Sequence, residues 1–212
     1  MALVIGTKRI WNVWAPFYNK IWGFQRFSLT PTREFVHKYL DESGLCPKNI
    51  LDIGCGVGEL SYELSQRWPN AKILGVDYSE GMIARAKKDY TAPNIEYIMG
   101  SLENIHENRK FDLILSTHSF PYFPEKLQAA TTMKKMLLKG GRIIIIQGNT
   151  NNLYDAAWLA FVKLGVSKAD FISVKKVKSI LQEAGFRIGT VKRVNTAFFI
   201  PSIFMVEGIN DD

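Results

Sequence analysis

The sequence has few cysteines, no long apolar run and no repeated or low-complexity segment. Only two of its 212 residues are cysteines, Cys46 and Cys55, so we expect neither a disulfide framework nor a zinc site made of thiolates. The longest nearly apolar stretch, residues 197–206, is interrupted by proline and serine and is far too short to cross a bilayer. A signal-peptide pattern is also missing, because polar residues 7–9 follow a very short apolar start. These absences lead us to expect a cytoplasmic protein.

The composition is typical of one ordered domain with a sizeable core. Hydrophobic residues make up 47% of the chain and charged residues 22%, which excludes global disorder. The formal net charge is +7, a value that raises the question of a nucleic-acid or acidic-membrane partner. The basic residues are scattered, however, and their densest pairs fall on predicted helices. This pattern favours solvated helix faces over a nucleic-acid interface.

A glycine-rich turn between a strand and a helix is the most informative stretch of the chain. Residues 50–53 are the apolar run of a strand buried on both faces, and Gly54, Gly56 and Gly58 follow at alternate positions. Such glycines let the backbone turn sharply and approach a ligand closely. The helix that begins near Glu59 then presents unpaired N–H groups to that ligand.

The spacing of these glycines separates two classes of ligand. In the dinucleotide fingerprint a third glycine stands where this chain has Glu59, whose carboxylate would repel a phosphate. Instead, Asp52 lies two residues before the first glycine. This pattern resembles the first motif of class I S-adenosylmethionine-dependent methyltransferases. The resemblance implies S-adenosylmethionine as cofactor, with S-adenosylhomocysteine as its product, because an acid beside the turn suits a cationic ligand.

A second acid follows at the distance expected for a ribose contact. Residues 72–76 are predicted to form the second strand, which ends on Asp77, about 20 residues after the glycines. The resemblance implies that Asp77 binds the ribose hydroxyls, and that Tyr78 and Met82 flank the ribose and the adenine. Ser79 is the better cap for the next helix, which leaves Asp77 available for a ligand.

The third and fourth strands are predicted to bring further contacts to the same edge. After the third strand, residues 95–99, the family usually carries an acid that bonds the adenine amino group, and Ser101 stands there, followed by the backbone of Leu102. The implied cofactor contacts are Asp52, Gly54, Cys55, Gly56, Gly58, Asp77, Tyr78, Met82, Ser101, Leu102 and Thr117.

The loop after the fourth strand is expected to face the acceptor. Amino-directed DNA, RNA and protein methyltransferases carry Asn/Asp-Pro-Pro-Tyr/Phe directly after this strand, and residues 117–120 do not match that pattern. The loop looks like those of small-molecule methyltransferases. His118 is the candidate general base, since its pKa lies near working pH, with a structural hydrogen bond as the alternative. Tyr122 and Tyr18 are candidates for orienting the acceptor, and no metal site is expected.

Residues 8–27 are unusually rich in aromatic side chains. The segment at 13–22 resembles the N-terminal leader of quinone- and phospholipid-type methyltransferases. The simplest interpretation is a hydrophobic lid packed on the domain. An aromatic wall over the active site and a surface that contacts a membrane peripherally are the other two.

Together these patterns predict an α/β, Rossmann-like fold: a doubly wound, mostly parallel seven-stranded sheet with helices on both faces and an antiparallel last strand. We expect a single domain over 1–212. It would comprise an aromatic-rich helical leader at 1–47, a cofactor-binding core at 48–148, a variable acceptor-pocket segment at 149–172, and a closing helix and hairpin at 173–212. The hairpin strands are predicted at 186–194 and 197–206, and a helix at 125–139.

The predicted function is methyl transfer from S-adenosylmethionine to a small-molecule acceptor. The alternatives are a nucleic-acid methyltransferase, a non-catalytic S-adenosylmethionine-binding module and, least favoured, an NAD(P)-dependent oxidoreductase.

Overall fold

The computed structural model describes residues 11–16, 18, 23, 25–106, 108–166 and 169–212, with the side chains of 164–166 excepted. In this part of the chain seven strands form one sheet in the order β3-β2-β1-β4-β5-β7-β6. The strands are β1 (Asn49–Ile53), β2 (Lys72–Asp77), β3 (Ile95–Met99), β4 (Phe111–Thr117), β5 (Leu137–Gly148), β6 (Arg187–Arg193) and β7 (Ile203–Ile209). The helices are α1 (Thr30–Ser43), α2 (Glu59–Arg67), α3 (Glu80–Asp89), α4 (Lys126–Met136), α5 (Leu153–Val166) and α6 (Val174–Glu183).

Strands β1 to β5 pair in parallel, and β7 runs antiparallel between β5 and β6. This confirms the predicted Rossmann-like sheet and its antiparallel last strand. The carboxyl ends of β1, β2, β3 and β4 therefore meet at one edge of the sheet, which is where doubly wound folds bind their ligands.

Both faces of the sheet are covered, which explains the continuous apolar runs in its strands. In β1, Ile50 packs into a core shared with Val36 of α1 and Leu64 of α2. The next residue, Leu51, points to the opposite face and packs with residues of α4 and α6 such as Met133. Successive side chains thus serve two separate cores, as the alternation along a strand requires.

A buried carboxylate ties α1 to the closing strands. Glu207 of β7 accepts hydrogen bonds from Tyr39 Oη at 2.7 Å, Arg142 Nη1 at 2.8 Å and the Thr190 backbone N–H at 2.8 Å. Because both carboxylate oxygens are satisfied and one donor is charged, the burial of this group is compensated.

Two predicted boundaries were wrong. The last strand was expected at 197–206 but runs from Ile203 to Ile209. The apolar residues before it form a loop, since Pro201 has no N–H to contribute to a ladder. The helix expected at 125–139 ends at Met136, because Leu137 already pairs with Phe111 in the sheet.

Candidate active site

The glycine turn holds three residues in the left-handed region, with φ of 78° at Gly54, 56° at Gly56 and 85° at Gly58. A Cβ on Gly54 would lie 2.2 Å from Ser119 Cβ, and one on Gly58 would lie 2.5 Å from Tyr97 Oη. A Cβ on Gly56 would meet nothing within 4 Å. Gly54 and Gly58 are therefore required by packing within the protein, whereas Gly56 borders the open crevice where a ligand can approach the backbone.

Asp77 lies at the end of β2, directly beside Gly56. Its Oδ2 accepts a hydrogen bond from the Gly56 N–H at 3.0 Å, and its Oδ1 accepts one from the Ser79 N–H at 2.8 Å. Burial raises the pKa of this carboxyl to about 6, and the two amide bonds oppose the shift. Each oxygen retains a lone pair, so the group can still accept hydrogen bonds from ligand hydroxyls.

Asp52 is buried under the turn. Its Oδ2 accepts a hydrogen bond from Ser61 Oγ at 2.7 Å, while its Oδ1 has no partner among the described residues. Burial raises the pKa of Asp52 to about 6, the Ser61 bond lowers it, and the charge of Asp77 raises it further. A cationic group bound nearby would offset the cost of the buried charge, and this fits an S-adenosylmethionine ligand.

Cys55 and Thr117 contribute to the site through their positions in the backbone. The Cys55 side chain points away from the crevice, because a Cβ on Gly75 would lie 3.1 Å from Cys55 Sγ. Its N–H donates to the Val76 carbonyl at 3.1 Å, which anchors the turn to β2. Thr117 is the last residue of β4 and pairs with Ile146 of β5.

Ser101 and Leu102 lie at the end of β3, as expected. The Ser101 hydroxyl donates to Glu103 Oε2 at 2.6 Å, so it is left as an acceptor, which is the role that an adenine amino group requires. Leu102 is the first residue of a 3₁₀ turn over Leu102–Asn104, and its side chain is buried in the core. Only the backbone of Leu102 can reach a ligand.

The described residues of the leader cover the start of α3. Asn12 Oδ1 accepts hydrogen bonds from Ser79 Oγ at 2.7 Å and from the Gly81 N–H at 3.1 Å. Met82 is buried in a small cluster that includes Ala15. Residues 11–16 and 18 thus form a lid on the domain next to Asp77, while much of the predicted 8–27 segment lies outside the described residues.

Tyr18 and Tyr122 meet at this lid. The ring of Trp11 contacts both of them edge-on, with centroid distances of 6.2 Å to Tyr18 and 5.6 Å to Tyr122. Burial raises the pKa of Tyr18, with smaller contributions from Tyr122 and Asp77. The phenol of Tyr18 is therefore protonated at neutral pH and can act as a hydrogen-bond donor. Tyr78 directly follows Asp77, at the carboxyl edge of the sheet.

His118 has an uncommon backbone and a defined hydrogen-bond partner. Its φ is 57°, a region that non-glycine residues rarely adopt. Its Nε2 lies 2.9 Å from Thr32 Oγ1, and the Thr32 hydroxyl donates to the Ser28 carbonyl at 2.8 Å. Since the one hydroxyl proton is used on Ser28, His118 Nε2 must be the donor to Thr32, so its Nδ1 is unprotonated in the neutral ring. Burial lowers the pKa of His118 to about 4, which keeps the ring neutral at working pH. The expectation that this pKa lies near working pH, on which the general-base role was based, was therefore wrong, because the sequence does not show that the ring is buried.

Four contributing residues were not found by sequence reasoning. Thr32 and Asn12 lie 86 and 67 positions from their partners, and no local pattern connects them. Ser119 belonged to the predicted loop, but its packing against Gly54 had no sequence signal. Arg33 of α1 pairs with Glu59 Oε1 at 2.9 Å and holds a carboxylate at the start of α2, where a dinucleotide fold needs its third glycine.

Fold and site together resemble those of class I, Rossmann-like methyltransferases, which use S-adenosylmethionine as cofactor. A family model described as "Methyltransferase domain" matches residues 50–141, the stretch that contains both Asp52 and Asp77. The comparison supports the predicted class and weighs against the NAD(P)-dependent alternative.

Curated relatives are themselves methyltransferases. The chain is 29% identical over 165 residues to the malonyl-[acyl-carrier protein] O-methyltransferase of Priestia megaterium, covering 71% of this chain and 60% of that protein. It is 24% identical over 186 residues to the demethylmenaquinone methyltransferase of Thermotoga maritima, covering 77% and 76%. The chain thus spans only part of the length of the first of these relatives.

Solved structures share the fold. The N-methyltransferase NodS of Bradyrhizobium japonicum, in complex with S-adenosyl-L-homocysteine, superposes with a TM-score of 0.71 at 17% identity, covering 90% of this chain and 92% of that one. The magnesium protoporphyrin IX methyltransferase of Synechocystis superposes with a TM-score of 0.69 at 20% identity, covering 84% and 82%.

Proposed function

We propose that the chain transfers a methyl group from S-adenosylmethionine to a small-molecule acceptor and releases S-adenosylhomocysteine. One observation carries this proposal: Gly56 has an open side and donates its N–H to the carboxylate at the end of β2, and Asp52, buried under the same turn, has an oxygen without a partner among the described residues. The first carboxylate, Asp77, suits hydroxyls, and the second suits a cation. The matched methyltransferase domain and the fold of the relatives support it.

The residues present fit the cofactor at each of its parts. Asp77 would bind the ribose hydroxyls, the backbone at Gly56 would face the amino-acid end, and Asp52 would offset its positive charge. The remaining contacts that we propose are Gly54, Cys55, Gly58, Tyr78, Met82, Ser101, Leu102 and Thr117. When bound, S-adenosylmethionine supplies an electrophilic methyl group on a cationic sulfur.

The acceptor side is proposed to use His118 as a hydrogen-bond acceptor that orients the acceptor molecule. Its Nδ1 carries a free lone pair, because the hydrogen bond to Thr32 requires the proton on Nε2. A neutral imidazole with so low a pKa is a weak base, but its free nitrogen can accept a hydrogen bond from a hydroxyl or neutral amine of the acceptor. Tyr18 and Tyr122 would orient the acceptor as hydrogen-bond donors, and the lid would exclude water from the reacting atoms.

The nature of the acceptor, its location and its partners belong to the same proposal. We infer that the protein is cytoplasmic and that its acceptor is a small molecule. We also infer peripheral contact of the aromatic leader, residues 8–27, with a membrane. Relatives act on acceptors as different as a malonyl-acyl-carrier protein and demethylmenaquinone. Acceptor screening should therefore include carboxylates, quinols and amines.

The test is thermal unfolding with S-adenosylmethionine, S-adenosylhomocysteine or NAD added separately. A ligand at 100 times its dissociation constant adds about 2.7 kcal/mol, which is a rise of roughly 5–11 °C for a domain of this size. We expect the two adenosyl compounds alone to produce it. Asp77→Asn should remove most of the rise, whereas Asp41→Asn, which changes a mostly exposed carboxylate on α1, should keep it.

A rise with NAD alone would refute the cofactor assignment. Equal responses of Asp77→Asn and Asp41→Asn would refute the ribose role of Asp77. Cofactor binding without product formation from any acceptor class would favour a binding module over an enzyme.

A further inference from the structure

An apolar face on the outside of α5 has no role in the site described above. We call it the docking face: the outward side of α5 together with the loop at 194–202 between β6 and β7. Its side chains are exposed to an unusual degree, at 90% for Leu153, 76% for Phe161 and 92% for Phe198. Contiguous exposed aromatic and aliphatic side chains of this kind mark interaction sites.

The orientation of α5 is the reverse of that of an ordinary surface helix. Its buried contacts are made by Asp155, which accepts a hydrogen bond from the Ser202 N–H at 2.8 Å, and by Leu159, which packs near Gly148. The opposite side of the helix is exposed. Four residues share it, within an arc of about a quarter of the helix circumference: Leu153, Ala157, Ala160 and Phe161. A soluble helix normally turns its polar side to water. The outer side of α5 is therefore suited to an apolar environment.

The docking face is held together and adjoins the proposed acceptor site. Tyr154 Oη donates to the Phe199 carbonyl at 2.7 Å, which ties α5 to the loop. The ring of Phe199 contacts Phe198 at 5.4 Å and Phe27 at 5.0 Å. Phe27 directly precedes Ser28, whose carbonyl holds the hydroxyl of Thr32. A continuous chain of contacts thus joins the docking face to the hydrogen bond of His118.

Basic side chains outnumber acidic ones in the segments that form and adjoin the docking face. The segments at 153–166, 169–177 and 193–202 contain two acids: Asp155, which is buried and bonded to Ser202, and Asp170, which pairs with Lys126. They contain four exposed cations, which make no ion pair with a described residue: Lys163, Lys175, Lys176 and Arg193. Arg193 lines a pocket of about 280 Å³ together with Tyr154, Val174 and Phe198, which places the loop, α5 and the start of α6 side by side.

This combination selects among the possible occupants. A second copy would bring two basic rims together on chains that each carry a net charge of +7, which is unfavourable. An anionic lipid surface offers both an apolar layer for the aromatic side chains and negative headgroups for the rim. With 14 residues α5 is about 21 Å long, too short to cross a bilayer and long enough to lie in its interface. No helix in the described ranges is long and apolar enough to span a membrane.

We propose that the docking face binds an anionic lipid bilayer, with Leu153, Phe161 and Phe198 in the interface and the basic side chains on headgroup phosphates. Where the proposed methyl transfer holds, this orientation brings the acceptor site to the membrane surface, so that an apolar acceptor can enter from the lipid. The docking itself does not depend on the reaction.

The test is sedimentation of the full chain with phosphatidylcholine vesicles, with and without phosphatidylglycerol. We expect binding to the anionic vesicles that weakens as salt is added. Phe161→Gln and Phe198→Gln should each lower the partition coefficient roughly tenfold or more, and Lys163→Gln should lower it about fivefold. The matched control is Leu138→Gln, which changes a side chain that is 40% exposed at the start of β5, remote from the docking face.

Three results would overturn the proposal. They are no binding to anionic vesicles, equal losses in Phe161→Gln and Leu138→Gln, and a dimer in light scattering that Phe161→Gln dissociates, which would assign the face to a second copy. Thermal shifts with S-adenosylmethionine, measured on the same variants, separate this outcome from the proposed function. The Phe161→Gln variant should keep the thermal shift with S-adenosylmethionine, whether or not it still binds vesicles.

Discussion

Alanine at three glycines with similar backbone angles should have three different effects. Gly54, Gly56 and Gly140 have φ of 78°, 56° and 76°, so each alanine bears the same cost of about 1–2 kcal/mol for a left-handed residue. A Cβ on Gly56 or Gly140 meets nothing within 4 Å, whereas one on Gly54 lies 2.2 Å from Ser119 Cβ. The free-energy cost of the left-handed backbone is therefore the same in the three variants, and they differ only in what surrounds the added methyl group.

Gly54→Ala should be the least stable of the three. Ser119 cannot yield easily, because its hydroxyl donates to the Ile53 carbonyl at 2.6 Å. Overpacking adds about 1–3 kcal/mol, for a total of about 2–5 kcal/mol. Urea unfolding of the three variants and the unchanged chain measures these differences. A Gly54→Ala variant as stable as Gly140→Ala would refute the packing argument.

Gly56→Ala should lose cofactor affinity with little further loss of stability. Its methyl group would project into the crevice, and a tenfold weaker affinity for S-adenosylmethionine corresponds to about 1.4 kcal/mol. Gly140→Ala carries the same backbone cost at the start of β5, on the opposite edge of the sheet from the turn, and should bind as tightly as the unchanged chain. Titration calorimetry with S-adenosylmethionine is the assay. Equal affinities for the Gly56 and Gly140 variants would contradict the assignment of Gly56 to the ligand.

Three further predictions concern single side chains. Thr32→Val removes the hydroxyl that holds the proton on His118 Nε2, so the ring can adopt either tautomer; we expect kcat to fall and its pH profile to change. Thr32→Ser keeps the hydroxyl and should retain the tautomer, kcat and the pH profile. Nitrogen NMR of the His118 ring measures the tautomer. Because the pKa of His118 is about 4 in the folded state and about 6.5 in the unfolded state, the chain loses stability as pH falls between these values. His118→Asn tolerates the positive φ and removes that loss, so it should be less destabilising at pH 5 than at pH 7.5 by about 1–2 kcal/mol in urea unfolding. Glu207→Ala should cost about 3–5 kcal/mol by leaving Arg142 and Tyr39 without their partner, and a cost below 1 kcal/mol would show that the buried network is dispensable.

Much of the sheet could be predicted because its signals are local. A continuous apolar run identified β1, and the alternation of predicted strands with helical segments implied parallel pairing. The boundary of β7 was missed because the apolar residues at 197–200 resemble a strand, and only pairing with β5 shows where the ladder starts. Apolar character alone does not distinguish a buried strand from an exposed loop.

The acceptor side of the site depended on contacts that no local pattern encodes. His118 was identified from its position after β4, yet its tautomer follows from Thr32 on α1, 86 residues away. The lid over α3 likewise depends on the hydrogen bonds of Asn12. The sequence predicted an acceptor-pocket segment at 149–172 and did not indicate that one apolar side of α5 faces outward. Side chains far apart in the chain meet only after the helices pack on the sheet.

The sequence by itself determined the Rossmann-like sheet, the glycine turn and the carboxylates Asp52 and Asp77, because strand period, glycine spacing and strand ends are properties of adjacent residues. Only the tertiary structure decided which glycine borders the open crevice, which nitrogen of His118 is unprotonated, and which side of α5 meets the solvent. Each of these depends on what a distant segment places beside the residue, and packing alone sets that.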